Sequence, residues 1–295
     1  MRKFISDFKK LVKLRLTLTV VFSASICFLM GSMMQHHINW FNWMILTVGG
    51  FLVTGAANGF NEIIEKDLDK LMRRTMDRPI PSGDMTTGQA LVMSLIMGIS
   101  GTYLLLQLNF PTGVLSVFSI FLYAFVYTPM KRRSPIAVFI GAFPGALPPL
   151  IGYFAAFHEP QISWVPVILF LIQFVWQFPH FWAIAWVLDD DYKRAGFRLL
   201  PTTKQDKTSA FITLLSTLIL IPVSLMPTVY LMPSGQAFGG NIYGIVALVA
   251  GIYFFWQAVQ LFLRQDVPSA KKLMYTSFFY LPLLQLTLLF DFIAK

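Results

Sequence analysis

Nine long stretches that are almost free of Lys, Arg, Asp and Glu dominate this sequence of 295 residues. A helix needs ~20 mainly apolar residues to cross a bilayer, and each stretch is about that long. The stretches cover residues 16–35, 41–61, 86–108, 112–130, 135–157, 162–187, 209–231, 240–263 and 273–293. Only 13% of the residues are charged, which is too few to cover a soluble domain. The sequence therefore predicts an all-α membrane protein with nine spans in one domain, residues 1–295.

The basic residues indicate how these spans are oriented. If the N-terminus lies inside, 22 of the 23 Lys and Arg residues fall in inner segments, and only Lys295 lies outside. The positive-inside rule then predicts a cytoplasmic N-terminus and an outer C-terminus. The net charge of +9 is thus a topology signal, and we expect no nucleic-acid partner.

Two local features complete this interpretation. Residues 1–15 are basic and partly amphipathic, which suits a segment at the membrane surface, and they lack the pattern of a signal peptide. The single cysteine, Cys27, excludes a disulfide framework and any cysteine-based zinc or iron–sulfur site. Glycines and prolines in the fifth span predict either close helix packing or a break in that helix: Gly141, Gly145, Pro148, Pro149 and Gly152.

Acidic residues concentrate where the second span leaves the membrane, in NGFNEIIEKDLDKLMRRTMDRPIPSG, residues 58–83. If the helix continues, Asn61, Glu65 and Asp69 lie at i, i+4 and i+8 on one face. Asp67 points away, because two residues turn a helix by ~200°. Oxygen ligands on one face suit Mg²⁺, which prefers carboxylates together with phosphate oxygens of a substrate. The spacing predicts a magnesium–diphosphate site on the inner side, although solvated loop charge is the alternative.

Basic residues follow in the same inner loops. Arginine offers a planar fork that matches phosphate, and no glycine-rich nucleotide loop accompanies the cluster. Lys131, Arg132 and Arg133 could also serve only as a positive-inside anchor. The candidate phosphate-binding bases are Arg73, Arg74, Arg78, Lys131, Arg132 and Arg133.

A third segment, residues 174–201, combines an intramembrane histidine with three aspartates at a helix exit. His180 is either a hydrogen-bonded core residue or a substrate contact, since ionisable groups at membrane depth are enriched at functional sites. We interpret the remaining histidines as solvated residues of the outer face: His36, His37 and His158. The aspartates are Asp189, Asp190 and Asp191, followed by Lys193 and Arg194.

These strings resemble the UbiA superfamily of intramembrane prenyltransferases over roughly residues 13–291. The acidic spacing is typical of the whole superfamily. The strings DKLMRRTMDRPIPSG (69–83), YTPMKRRSPIAVFIGAFPGALPPLIGY (127–153), WQFPHFWAIAW (176–186), DDYKRAGFRLLP (190–201) and AKKLMYTSFFYLPLL (270–284) resemble its heme-modifying branch. The resemblance implies transfer of a farnesyl group from farnesyl diphosphate to the vinyl group of heme b, with addition of water, giving heme O and diphosphate.

The resemblance also assigns roles. It implies Mg²⁺ on Asn61, Glu65 and Asp69, with Lys131 and Arg132 beside them as catalytic residues. It implies substrate binding by Arg73, Arg74, Arg78, Tyr127, Arg133, His180, Asp190, Asp191 and Lys193. Heme b is then a substrate and not a cofactor. The implied location is the bacterial cytoplasmic membrane, with the active-site cavity on the cytoplasmic side, and the implied partners are a heme A synthase or a terminal oxidase assembly.

Two departures from the superfamily pattern concern the metal. Glu65 stands where the superfamily has Asp, one methylene shorter. The second acidic motif is incomplete, because Lys193 stands four positions after Asp189, where the motif has an acid. Binding of a second Mg²⁺ by Asp190 and Asp191 is therefore left undecided by the sequence.

Two alternative functions are a prenyltransferase acting on an aromatic quinone precursor and a secondary transporter of an anionic solute. Transporters often carry charge near the midplane and internal repeats, whereas these acids cluster at one face.

Overall fold

The computed structural model describes residues 2–160, 163–232 and 235–293. Lys295 and the first residue of the sixth predicted span, residue 162, lie outside these ranges. The helices are α1 (Arg2–Leu11), α2 (Leu14–Met34), α3 (Trp40–Asp69), α4 (Thr87–Leu108), α5 (Phe110–Phe121), a π-helical segment (Leu122–Tyr127), α6 (Thr128–Met130), α7 (Ile136–Ala155), α8 (Trp164–Val187), α9 (Asp189–Ala195), α10 (Lys207–Val229), α11 (Asn241–Arg264) and α12 (Val267–Ile293).

Nine helices within the described ranges are long and apolar enough to cross a membrane. They are α2, α3, α4, the continuous helix Phe110–Met130, α7, α8, α10, α11 and α12. The prediction of nine spans is therefore confirmed, and the chain is a multi-pass membrane protein. The largest differences concern α3, which continues eight residues beyond the predicted end of the second span at 61 and reaches Asp69, and α12, which begins at Val267, six residues before the predicted start at 273.

The spans pack into one closed bundle. Helix α2 packs against α3, α7 and α12, and α8 packs against α7, α10 and α12. Because consecutive spans cross in alternate directions, the connections 70–86, 131–135, 188–206 and 265–266 lie at the same end as α1. Every segment in which the sequence predicts phosphate-binding residues thus meets at one end of the bundle.

Helix α7 is continuous, although it contains Pro144, Pro148 and Pro149. Proline has no N–H, so Pro149 leaves the carbonyl of Gly145 without its helical partner. The Nε2 atom of Gln173 on α8 donates to that carbonyl at 2.7 Å. A Cβ at Gly152 would lie 2.0 Å from the carbonyl oxygen of Ala24 on α2. Of the two roles predicted for these glycines and prolines, the structure shows close packing.

Candidate active site

The acidic stripe of α3 lies inside the bundle. Asn61 and Asp69 are 0% exposed, and Glu65 is 3% exposed. Their spacing of four residues places them on the helix face that turns toward the neighbouring segments. The side chain of Asp67 is 74% exposed, as its offset from the stripe predicts. Helical periodicity therefore separates these acids into a buried set and a solvated one.

Each residue of the stripe contacts a base that comes from a different segment. The Nζ atom of Lys13 donates to Oδ1 of Asn61 at 2.6 Å. Nζ of Lys131 lies 2.8 Å from Oε1 of Glu65, and Arg78 pairs with Asp69 through Oδ2. The stripe is also linked internally, since Nδ2 of Asn61 donates to Oε2 of Glu65 at 2.9 Å. The site is thus an acid–base array, in which two buried carboxylates and a buried amide each contact one base.

Lys13 reaches the stripe because the turn between α1 and α2 is fixed. The residue has a left-handed backbone with a φ of 48°, which is uncommon outside glycine. The carbonyl of the preceding Val12 accepts hydrogen bonds from Oγ1 of Thr17 at 2.6 Å and from Nδ2 of Asn58 at 3.1 Å. These contacts hold the turn beside α3. The turn after α1 therefore delivers a base to the site, and a membrane-surface location of α1 stays a prediction.

The bases of the array do not share one electrostatic environment. Burial, followed by repulsion from Arg78 and Lys131, lowers the pKa of Lys13 well below its usual value. Burial also acts to lower the pKa of Lys131, but the adjacent Glu65 carboxylate outweighs it and leaves that pKa raised. Lys131 is thus held as a cation by Glu65, whereas the side chain of Lys13 donates, within the described ranges, to the neutral amide of Asn61.

Aromatic rings position Lys131 on its other side. Its Nζ lies 4.8 Å from the ring centroid of Tyr127 and 5.4 Å from that of Phe197. The Tyr127 ring can adopt this position because residue 141 is glycine, where a Cβ would lie 2.6 Å from Cδ2 of Tyr127. Cation–π contacts of this kind fix the direction of an ammonium group. Lys131 therefore has a defined position toward α3.

Side chains of α3 and α9 hold the connection between α3 and α4, residues 70–86, through hydrogen bonds to its backbone. The buried side chain of Glu62 accepts the N–H of Ile80 at 3.1 Å. From α9, the carboxylate of Asp191 accepts the backbone N–H groups of Arg73 at 3.3 Å and Arg74 at 3.4 Å. The exposed side chains of Arg73 and Arg74 remain available at the surface of the site.

Comparison with known proteins identifies the family that uses such a site. The sequence profile of the UbiA prenyltransferase family matches residues 20–283. The chain belongs to the UbiA prenyltransferase family. The protoheme IX farnesyltransferase of Cytophaga hutchinsonii is 45% identical to it over 284 residues, which are 96% of each chain.

Solved structures show the same fold at lower sequence identity. A structure of digeranylgeranylglyceryl phosphate synthase superposes with a TM-score of 0.80 at 20% identity and covers 100% of both chains. A UbiA homolog from Archaeoglobus fulgidus bound to GPP and Mg²⁺ superposes with a TM-score of 0.58 at 10% identity, over 98% of this chain and 100% of that one. The all-helical UbiA fold predicted from the sequence is confirmed.

The donors of this UbiA-family site fit a magnesium ion. Two carboxylates and an amide on α3 are hard oxygen ligands, and Mg²⁺ commonly completes its shell with water and substrate phosphates. Among the described residues, the buried Oδ1 of Asp69 has no hydrogen-bond partner. No group of three His, Cys, Asp or Glu side chains within the same ranges is arranged for a metal by itself. A metal here would therefore depend on Asn61 and on substrate oxygens.

The three aspartates of α9 have different surroundings. Asp189 is buried and pairs with Lys193, whereas Asp190 is exposed. Asp191 binds the 73–74 backbone and lies 3.5 Å from a guanidinium nitrogen of Arg194. The structure thus uses Asp191 to join α9 to the loop after α3, and a second metal on Asp190 and Asp191 stays a prediction.

His180 lies on α8, apart from the acid–base array. Its Nδ1 is 2.7 Å from Oγ of Ser277 on α12, and its ring stacks on Trp176 with a centroid distance of 4.4 Å. The ring therefore has the hydrogen bond that a core histidine requires. A contact with substrate stays a prediction that this geometry leaves open.

The remaining predicted bases lie at the surface, and the sequence pattern does not single out three residues that contact the stripe or the connection after it. Arg132 and Arg133 are exposed beside the buried Lys131. In the sequence Lys13 contributes only to the topology signal, and no pattern indicates a role for Glu62 or for Thr128, whose Oγ1 accepts from Nδ2 of Asn61 at 3.0 Å. The string YTPMKRRSP, residues 127–135, already contains Thr128. No spacing rule links Lys13 to α3, because Lys13 lies in the turn between α1 and α2, far from the stripe in sequence.

Proposed function

We propose that this chain transfers the farnesyl group of farnesyl diphosphate to the vinyl group of heme b, with addition of water, giving heme O and diphosphate. The observation that carries the proposal is similarity to protoheme IX farnesyltransferases along nearly the whole chain, at 45% identity to the Cytophaga hutchinsonii protein. The similarity extends over 284 residues and is therefore not confined to the diphosphate site. Heme is therefore favoured over an aromatic quinone precursor as the acceptor, and transfer over transport.

The acid–base array supports the diphosphate half of the reaction. Asn61, Glu65 and Asp69 would hold Mg²⁺, which would supply Lewis-acid stabilisation to the departing diphosphate. Lys13, Lys131 and Arg78 lie close enough to the stripe to donate to the phosphate oxygens. Preorganised donors aimed at a developing anion act more strongly in a buried site than in water. These residues therefore bind the leaving group and orient its carbon–oxygen bond.

The chemical steps balance without a redox partner. The bond between carbon 1 of the farnesyl group and the diphosphate oxygen breaks, and the diphosphate keeps the electron pair. The terminal carbon of the heme vinyl group forms a bond to that carbon, which leaves a cation next to the porphyrin ring. Water adds to this cation and loses a proton, which leaves a hydroxyethylfarnesyl side chain. Heme is consumed as a substrate.

We infer the orientation from charge. All basic residues except Lys295 lie in α1, in the connections at the same end of the bundle as α1, or in the helix ends beside them. Under the positive-inside rule this end of the bundle faces the cytoplasm. The diphosphate site then opens to the cytoplasm, in the bacterial cytoplasmic membrane. Association with a heme A synthase or a terminal oxidase stays a prediction.

Extraction of heme from membranes tests the proposal directly. Membranes that contain the protein, supplied with farnesyl diphosphate, should yield heme O by mass analysis, and membranes without it should yield only heme b. A parallel assay with an aromatic acid acceptor separates the two prenyl-transfer functions. Transfer to the aromatic acid together with unchanged heme b would overturn the heme assignment.

A further inference from the structure

Every predicted metal ligand of α3 already bonds to a basic side chain. Lys13 occupies Oδ1 of Asn61 at 2.6 Å, Lys131 occupies Oε1 of Glu65 at 2.8 Å, and Arg78 occupies Oδ2 of Asp69. The Lys131–Glu65 pair is buried, with side chains 10% and 4% exposed, and the Lys13 and Arg78 contacts are partly buried. The bases come from three separate segments, and each meets one ligand of the stripe.

These contacts set the bases in competition with a metal. A cation that approaches the stripe meets an ammonium or guanidinium group at one oxygen of each side chain, and those groups repel it at short range, although the buried Oδ1 of Asp69 has no hydrogen-bond partner among the described residues. Such repulsion is strong where water is excluded. A diphosphate attracts the same bases and offers them new acceptors, which releases the oxygens of α3. Each ligand therefore removes an obstacle to the other.

We propose that Lys131 and Arg78, as counter-ions of Glu65 and Asp69, and Lys13, as a donor that occupies the Asn61 amide oxygen, make metal binding and diphosphate binding mutually dependent. The inference rests on the proposed function and deepens it: metal alone binds weakly, diphosphate alone binds weakly, and the two together bind tightly. Linkage requires the coupling to be reciprocal, and couplings of this kind are typically about 5–150-fold. Such a site holds little bound metal between turnovers, when no diphosphate is present.

The competition predicts opposite effects of one substitution on the two ligands. Lys13→Met and Lys131→Met should each tighten binding of metal alone by about 5–150-fold and weaken binding of inorganic pyrophosphate. If a base binds only phosphate, its removal would weaken pyrophosphate binding without tightening metal binding. Lys13→Met is the cleaner variant, because its partner is the neutral amide of Asn61 and no buried acid loses its counter-ion.

The test uses the full-length protein in detergent or nanodiscs and does not depend on turnover. Mn²⁺, which shares the oxygen preference of Mg²⁺, is titrated alone and followed by electron paramagnetic resonance. Inorganic pyrophosphate is titrated by calorimetry, once with EDTA and once with excess Mg²⁺. Lys70→Met is the matched control, since Lys70 follows Asp69 directly but pairs at 3.5 Å with the exposed Asp67.

The outcomes separate this inference from the proposed function. The inference is supported if Lys13→Met and Lys131→Met bind Mn²⁺ more tightly and pyrophosphate more weakly than wild type, while Lys70→Met behaves as wild type. Unchanged Mn²⁺ affinity in both folded variants overturns the inference and leaves the proposed function intact. If Asp69→Asn also leaves Mn²⁺ binding unchanged, then the metal site of the proposed function itself is wrong. Gel filtration and thermal melts verify folding of each variant.

Discussion

Nζ of Lys131 lies 2.8 Å from Oε1 of Glu65, and this contact joins the loop after α6 to the buried stripe of α3. Both side chains are nearly inaccessible to solvent. Removing one partner of a buried ion pair leaves an uncompensated charge, which typically costs about 3–5 kcal/mol. The pair therefore affects both the stability of the fold and the proposed diphosphate site. Experiments on either residue need a separate measurement of folding.

Substitution of the stripe acids should abolish transfer. Asp69→Asn and Glu65→Gln each remove a negative charge that metal and diphosphate both require, and we expect a fall in turnover of at least about two decades, as for loss of a preorganised catalytic group. Glu65→Asp should be tolerated, because it keeps the charge. Heme O formation in membranes measures the effect. Asp67→Asn is the control, since Asp67 is exposed, and full activity of Asp69→Asn would contradict the site.

Lys131 and Arg132 should contribute unequally. Lys131→Gln removes a buried donor that contacts Glu65, and we expect kcat to fall by about one to three decades, with a smaller change in the KM for farnesyl diphosphate. Arg132→Gln removes an exposed donor, so its fall in kcat should be smaller. Neither change can invert the chain, because 22 basic residues favour the inner side. Normal kcat in both variants would leave the loop as an anchor only.

The orientation can be measured by cysteine labelling in a Cys27→Ala background. Ser82→Cys, in the exposed connection after α3, should react with an impermeant thiol reagent only from the cytoplasmic side. His37→Cys, in the exposed connection between α2 and α3, should react only from the outside. The two positions flank the same span, so each serves as a control for the other. Labelling with the reverse pattern would place the site on the outer side.

Gly141 should be sensitive to a single added methyl group. In Gly141→Ala the new Cβ meets the Tyr127 ring at 2.6 Å, so the ring must move away from its place beside Lys131. Overpacking of this kind costs about 1–3 kcal/mol, and we expect both a lower Tm and reduced turnover. Gly88→Ala is the control, because the nearest atom there is 4.0 Å away. Equal Tm values for both variants would show that the ring relaxes freely.

His180 offers a test of the acceptor side. If its ring contacts heme, His180→Gln should weaken heme b binding and change the Soret spectrum, while leaving pyrophosphate affinity unchanged. Ser277→Ala removes the hydrogen bond to Nδ1 and serves as the structural control. A Soret spectrum that is the same in wild type and His180→Gln would identify His180 as a core residue.

Much of the fold follows from local properties of the sequence. A span depends on ~20 consecutive apolar residues, so its existence can be predicted without knowing its neighbours. The stripe of Asn61, Glu65 and Asp69 depends only on helical periodicity, which also places Asp67 outside it. The continuation of α3 to Asp69 was a condition of that prediction, and the structure meets it.

The partners of the stripe were decided by tertiary structure. Lys13, Arg78 and Lys131 lie on segments of different length whose separations have no common period, so spacing could not assign each base to its oxygen. The same holds for Asp191, which binds the backbone of the 73–74 turn across the site. By itself the sequence determined which residues are charged, which helices cross the membrane and which face carries the acids. Packing of the helices determined which charges meet, because short-range electrostatic contacts depend on distances that only the folded bundle defines.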